Sequence, residues 1–113
     1  MEKSILKSIK KMLGIPEDQE HFDSDIIMHI NSVLMILTQI GVGPPEGMTI
    51  HDDTVTWDEF VSEESNLEAV KSYIGMKVKL LFDPPMSSAV MEATNRMISE
   101  LEWRLNVGAD SSN

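Results

Sequence analysis

Few residues in this chain carry the chemistry of an active site. The three histidines, His21, His29 and His51, are far apart, and no two form the paired ligands of an HExxH zinc site. His51 precedes Asp52 and Asp53, a run that can hold a cation opportunistically but more simply makes a polar turn. His21 and Asp25 stand one helical turn apart, which gives a local contact and not a site. No serine lies in a nucleophile elbow. The segment G-V-G-P-P-E-G, residues 41–47, lacks the Lys-Ser/Thr that a phosphate-binding loop requires. Acid pairs at Asp58-Glu59 and Glu63-Glu64 fall at expected helix starts, where the helix dipole already accounts for them. The absence of cysteine excludes disulfides, thiolate zinc sites and cysteine nucleophiles. No catalytic residue, metal or cofactor is expected, and the chain reads as a non-enzyme.

Binding is left to explain, and five helical segments must position it. Residues 2–13 form a short amphipathic helix, with Ile5, Ile9 and Met12 or Leu13 on one face and the lysines opposite. Gly14 and Pro16 stop it. Asp23 suits the N-cap of a second helix running to about Ile40. Its stripe of Ile26, Ile30, Val33, Leu37 and Ile40, widened by Ile27, Leu34 and Met35, suits a central helix. Thr56 and Glu59 make a capping box before Trp57, Phe60 and Val61. Ser65 and Glu68 make another before a fourth helix, residues 66–82, whose inner face is Leu67, Val70, Ile74, Val78 and Leu81. Asp83-Pro84-Pro85 ends that helix, since proline disfavours helical backbone in the residue before it. Ser87 or Ser88 caps the fifth, with Val90, Met97, Ile98, Leu101 and Leu105 on its apolar side.

The expected fold is all-α: a small bundle of about five helices in one domain over residues 1–107, with a flexible tail at 108–113. Between the second and fourth helices, residues 44–56 form a long exposed loop or a short hairpin. A loop of that length favours function or a partner contact. Hydrophobic residues at 42% suffice for a modest core, which oligomerisation would supplement. No apolar run reaches the ~20 residues that span a bilayer, and the apolar spacing near the N-terminus is that of a helix face, not a signal peptide.

Charge is unevenly placed. The net charge is −10, yet residues 1–11 hold four lysines against one glutamate. From Met12 to Val70 there are thirteen acids and no Lys or Arg, and from Lys71 onward five bases balance five acids. The acidic middle argues against phosphate docking through that surface. It is either a solvated face or one that repels an anion or meets a basic partner. Trp57 and Phe60 either cover the core or anchor a subunit interface. Met48 and Met86, in connections, are further interface candidates among nine methionines that otherwise suit core packing.

The segment V-K-S-Y-I-G-M-K-V-K-L-L-F-D-P-P and the ending A-x-x-x-x-N-R-x-I-S-E-x-E-W-R-L-N, following a Gly-Pro loop, resemble the small head–tail connector (head-completion or adaptor) proteins of tailed phages. Many of these come from prophages of Gram-positive bacteria. The resemblance covers residues 21–107 and is densest after Val70. It implies a structural virion protein at the head–tail junction, assembled in the host cytoplasm, in a ring of about a dozen copies that closes through heterologous contacts. The ring would dock under the portal protein, extend the DNA channel and present a platform to a tail-side completion protein. DNA would pass without sequence-specific binding, and no membrane is involved. Carried onto this chain, portal docking falls on Arg96, Trp103, Arg104 and Asn106, although Trp103 also suits a half-buried cap on the bundle. If the 44–56 loop lines the channel, Glu46, Asp52 and Asp53 would keep DNA from adhering. The competing expectation is a small intracellular regulator or adaptor that binds one protein partner.

Overall fold

Each apolar segment finds a cap or a stop where its chemistry demands one, and five helices result. The computed structural model describes residues 3–62 and 64–112. The helices are α1 (Ile5–Met12), α2 (Asp23–Gln39), α3 (Trp57–Phe60), α4 (Glu64–Phe82) and α5 (Ser88–Ser112). Among the described residues there is no β-strand, only an isolated antiparallel bridge between Ser4 and Thr56.

The long helix α4 packs between α2 and α5, and α1 lies across α2 and α4. Ile26, Ile30, Val33, Leu34 and Leu37 of α2 meet Val70, Tyr73, Ile74 and Val78 of α4 in one buried core. Ile5, Leu6 and Ile9 close it from α1, and Ile98 and Leu105 close it from α5. Gly75 sits under α1, where a β-carbon would fall 2.5 Å from the Met12 sulfur. The absent side chain leaves room for the end of the Met12 side chain.

Several boundaries move for local reasons. Helix α1 starts later than expected because Ser4, in extended backbone, accepts from the Lys7 amide at 3.2 Å. In α2 the capping position belongs to Phe22, and Asp23 is the first helical residue. Helix α4 begins at Glu64, so Ser65 is not its N-cap; the side chain of Ser65 and all of Glu63 lie outside the described residues. Ser87 caps α5 by accepting from the Val90 amide at 3.3 Å. The tail expected from Gly108 is instead the last turns of α5, which run to Ser112. There Ala109 lies over Gly41, whose φ of +93° carries the chain away from α2.

Lys10 departs from the expectation that the lysines of α1 lie opposite its apolar face. It is 2% exposed. Its ammonium donates to the carbonyls of Glu17 and Gln19 at 3.1 and 2.6 Å and lies 2.8 Å from the Asp23 carboxylate. The 14–22 connection folds back over α1, so this one lysine stitches loop and α2 to the first helix.

Of the two forms expected for residues 44–56, the extended loop is found. Most of it is exposed, but it is tied at two points. Ile50 is buried in the core, and its amide and carbonyl pair with the Asn31 side chain at 2.7 and 2.9 Å. Further on, the Val55 carbonyl accepts from Ile5 and the Trp57 amide donates to Lys3, both at 3.0 Å. The capping box at Thr56 and Glu59 then starts α3.

Candidate functional site

The candidate residues do not gather into one site; they divide among the core, two surfaces and an acidic edge. Trp57 and Phe60 belong to the core. The Trp57 indole donates to the Ser8 hydroxyl at 2.9 Å, and Phe60 covers Gly43 so closely that a β-carbon there would fall 2.5 Å from its ring. Both side chains are buried, which removes them as exposed anchors for a neighbouring subunit. The absence of a side chain at Gly43 (φ +87°) leaves room for the Phe60 ring against the turn.

The portal-docking candidates on α5 face three ways. Arg96 and Trp103, seven residues apart, share an exposed stripe, and Trp103 is 66% exposed. It is no cap on the bundle. Arg104 lies on a neighbouring stripe with Val90 and Met97, at successive seven-residue steps. Its guanidinium holds Glu100 through Nε at 3.2 Å and Nη2 at 2.9 Å. Asn106 turns inward, and its amide donates to the Ile40 carbonyl at 3.4 Å, satisfying the C-terminal end of α2.

Two apolar surfaces lack a partner among the described residues. The first runs from the α4–α5 connection along α5: Leu81, Met86, Val90 and Met97 are each at least half exposed, and Met86 fully so. Leu81, Val90 and Met97 were expected on inner faces. Phe82 takes the inward place of Leu81 by stacking edge-on against Phe22 at 5.3 Å. Ile98, one residue after Met97, is the side chain that α5 buries. The second surface is an open groove of about 890 Å³ between α2 and residues 46–49, lined in part by Met28, Met35 and the half-buried Met48. Met28 and Met35 are more than half exposed, so Met35 does not widen the inner stripe. Their signal was available: on a helical wheel both fall opposite Ile26, Ile30 and Leu37.

The three channel candidates also separate. Glu46 stands at the groove beside α2. Asp52 and Asp53 lie beside α1, in a hollow with Lys7, Glu17 and His51. Asp52 accepts from the Thr54 hydroxyl at 2.6 Å and the Thr54 amide at 2.9 Å, which hold its carboxyl below the usual range. Glu17 is likewise lowered, by its contact with Lys7 at 2.9 Å. Asp53 is 3.9 Å from the same ammonium. Asp52 and Asp53 both lie on an exposed edge.

No group of three or more potential metal ligands occurs among the described residues. No helix is long and apolar enough to cross a membrane among them. The surfaces suit protein contacts: apolar, methionine-rich and uncharged at their centres.

No curated protein and no solved structure matches the chain. A sequence profile of the phage connector protein family does, over residues 5–112, and so takes in all five helices. With that match the all-α fold and its unpartnered surfaces acquire an identity: this chain belongs to the phage connector protein family, whose members are structural parts of the virion.

Proposed function

We propose that the protein is a ring-forming head–tail connector that docks under the portal, extends the DNA channel and offers the attachment platform for the next tail-side protein. The family match places it among connectors. The observation that supports a ring is the pair of separate apolar surfaces, one on α2 and one along α4–α5. A ring needs two different patches per subunit, because head-to-tail contacts must close on themselves. In this reading the Arg96–Trp103 stripe meets the portal, since exposed tryptophan and arginine are the favoured anchors of protein interfaces. Asp52 and Asp53 line the channel and repel passing DNA, while Glu46 belongs to the subunit contact.

The test is the native mass of the purified chain, alone and after mixing with portal. A closed species of about a dozen copies, in either condition, is the expected result. A chain that stays monomeric and fails to bind portal would instead be a regulator with a single protein partner.

A further inference from the structure

The two apolar surfaces differ in shape and charge, and those differences select what covers them. The α2 groove is an open hollow lined on its apolar side by Ile27, Met28, Met35 and Met48. The rest of its lining is almost wholly uncharged and polar (Asn31, Ser32 and Thr38 among it) in a chain with a net charge of −10. Depletion of charge at the centre of a surface patch is a mark of a protein interface. The charges that do flank it are acidic: Glu46 lines the groove, and residues 12–70 contain no Lys or Arg.

The opposite surface is a ridge. Met86 projects from the α4–α5 connection, and Val90 and Met97 continue the line down α5 to Arg104. Every Lys and Arg beyond Lys11 lies on α4 or α5. Ridge and groove share no residue, and α4 stands between the helices that carry them. The two surfaces are therefore distinct, and each is free to meet a different neighbour.

We propose that the α5 ridge (Met86, Val90, Met97, with Arg104) of one copy seats in the Met28–Met35 groove of a second copy, with Arg104 approaching Glu46. This names the subunit contact of the ring, and so rests on the ring reading above. Methionine on both sides allows the flexible side chains to fit one another. The arrangement is heterologous: each copy uses its ridge toward one neighbour and its groove toward the other. Arg104 already pairs with Glu100 on its own helix, so docking would share its guanidinium with Glu46, whereas groove-to-groove pairing would bring two Glu46 carboxylates together.

The chain has no cysteine, so single cysteines report the contact cleanly. Full-length Met35→Cys and Met97→Cys proteins are mixed in equal amounts, with portal present if the wild type needs it to assemble, and treated with a short bis-maleimide. The mixture should give crosslinked dimer several-fold above either protein alone, and the doubly substituted chain should give a ladder. Met28→Cys with Val90→Cys is the second pair. Equal crosslinking in one protein alone means an isologous contact and overturns the proposal. If wild type is multimeric by native mass but neither pair crosslinks, this contact is wrong and the ring reading stands. If wild type never multimerises, alone or on portal, and no ladder forms, both fail.

Discussion

The ammonium of Lys10 lies 2.8 Å from the carboxylate of Asp23, joining the last turn of α1 to the first turn of α2. The same ammonium bonds two carbonyls of the intervening connection, so three pieces of chain depend on one buried charge. Other ion pairs, such as the partly buried Lys7 with the exposed Glu17, are more open to solvent and screened.

Replacing that charge with an apolar side chain should be costly. Lys10→Met leaves Asp23 without its counter-ion and two carbonyls without a donor. The expected loss is about 3 kcal/mol, at the lower end for a broken buried pair because Asp23 keeps some solvent contact. Lys7→Ala should cost no more than about 0.5 kcal/mol. Urea unfolding of the two variants measures the difference, and equal losses would mean that Lys10 is effectively solvated.

Tyr73 predicts the alkaline limb of stability. Its ring is buried, and its hydroxyl donates to Glu102 at 2.7 Å. Burial, then the hydrogen bond and charge of Glu102, push the phenol well above its ordinary 10.0. A raised folded value favours the neutral form, so this contribution is complete below pH 10 and is lost as pH climbs beyond it. The chain has one tyrosine, so phenolate absorbance reports this group alone. It should appear together with unfolding and not before. Tyr73→Phe should cost about 1 kcal/mol at neutral pH and flatten the alkaline loss.

Two glycines should respond in opposite directions. At Gly43 the φ of +87° and the rigid Phe60 ring both resist a side chain, so Gly43→Ala should destabilise by about 2 kcal/mol or more. At Gly75 the backbone is helical, and the obstacle is the end of the flexible, half-exposed Met12. If Met12 swings aside, Gly75→Ala recovers up to about 1 kcal/mol of helix propensity. Thermal melts decide both, and a large loss at Gly75 would show that Met12 has nowhere to go.

Helix order, the D-P-P break and most of the core were legible because each depends on local spacing. Ile26, Ile30, Val33 and Leu37 recur at helical steps and all are buried. What depends on how connections fold over helices was not. Lys10 sits with the solvated lysines on a wheel, and only the return of residues 14–22 buries it. Trp57 suits core and interface alike in the sequence because a four-residue helix has too little periodicity to choose. Val90 and Met97 continue an apolar pattern that α4 is not wide enough to cover, so a stripe read as core became surface. Asn106 was placed at an outer contact, yet it closes the end of α2, a long-range bond without any sequence signal.

The exposed stripe on α5 should separate binding to portal from assembly of the ring. Trp103→Ala and Arg96→Ala change solvated side chains, so the melting temperature should move little. Portal affinity should fall, by about 2 kcal/mol for the tryptophan if it is an anchor. Sedimentation with portal measures this. A loss of self-assembly with unchanged portal binding would move the stripe to the subunit interface.

The acidic edge makes the last prediction, and it concerns passage and not folding. Asp52 and Asp53 are exposed, and the lowered carboxyl of Asp52 keeps its charge at any pH the virion meets near neutrality. If they face the channel, Asp52→Asn with Asp53→Asn removes two negative charges per subunit, repeated around the ring. DNA should then be retained severalfold more on assembled rings, and ejection from particles should slow. Both effects should shrink in high salt, because screening at ~1 M confines such charges to about 3 Å. Glu46→Gln is the control, since Glu46 lies at the α2 groove; it should alter assembly and leave ejection as it was. Unchanged ejection in the double variant, measured by dye uptake on released DNA, would place the 44–56 loop outside the channel.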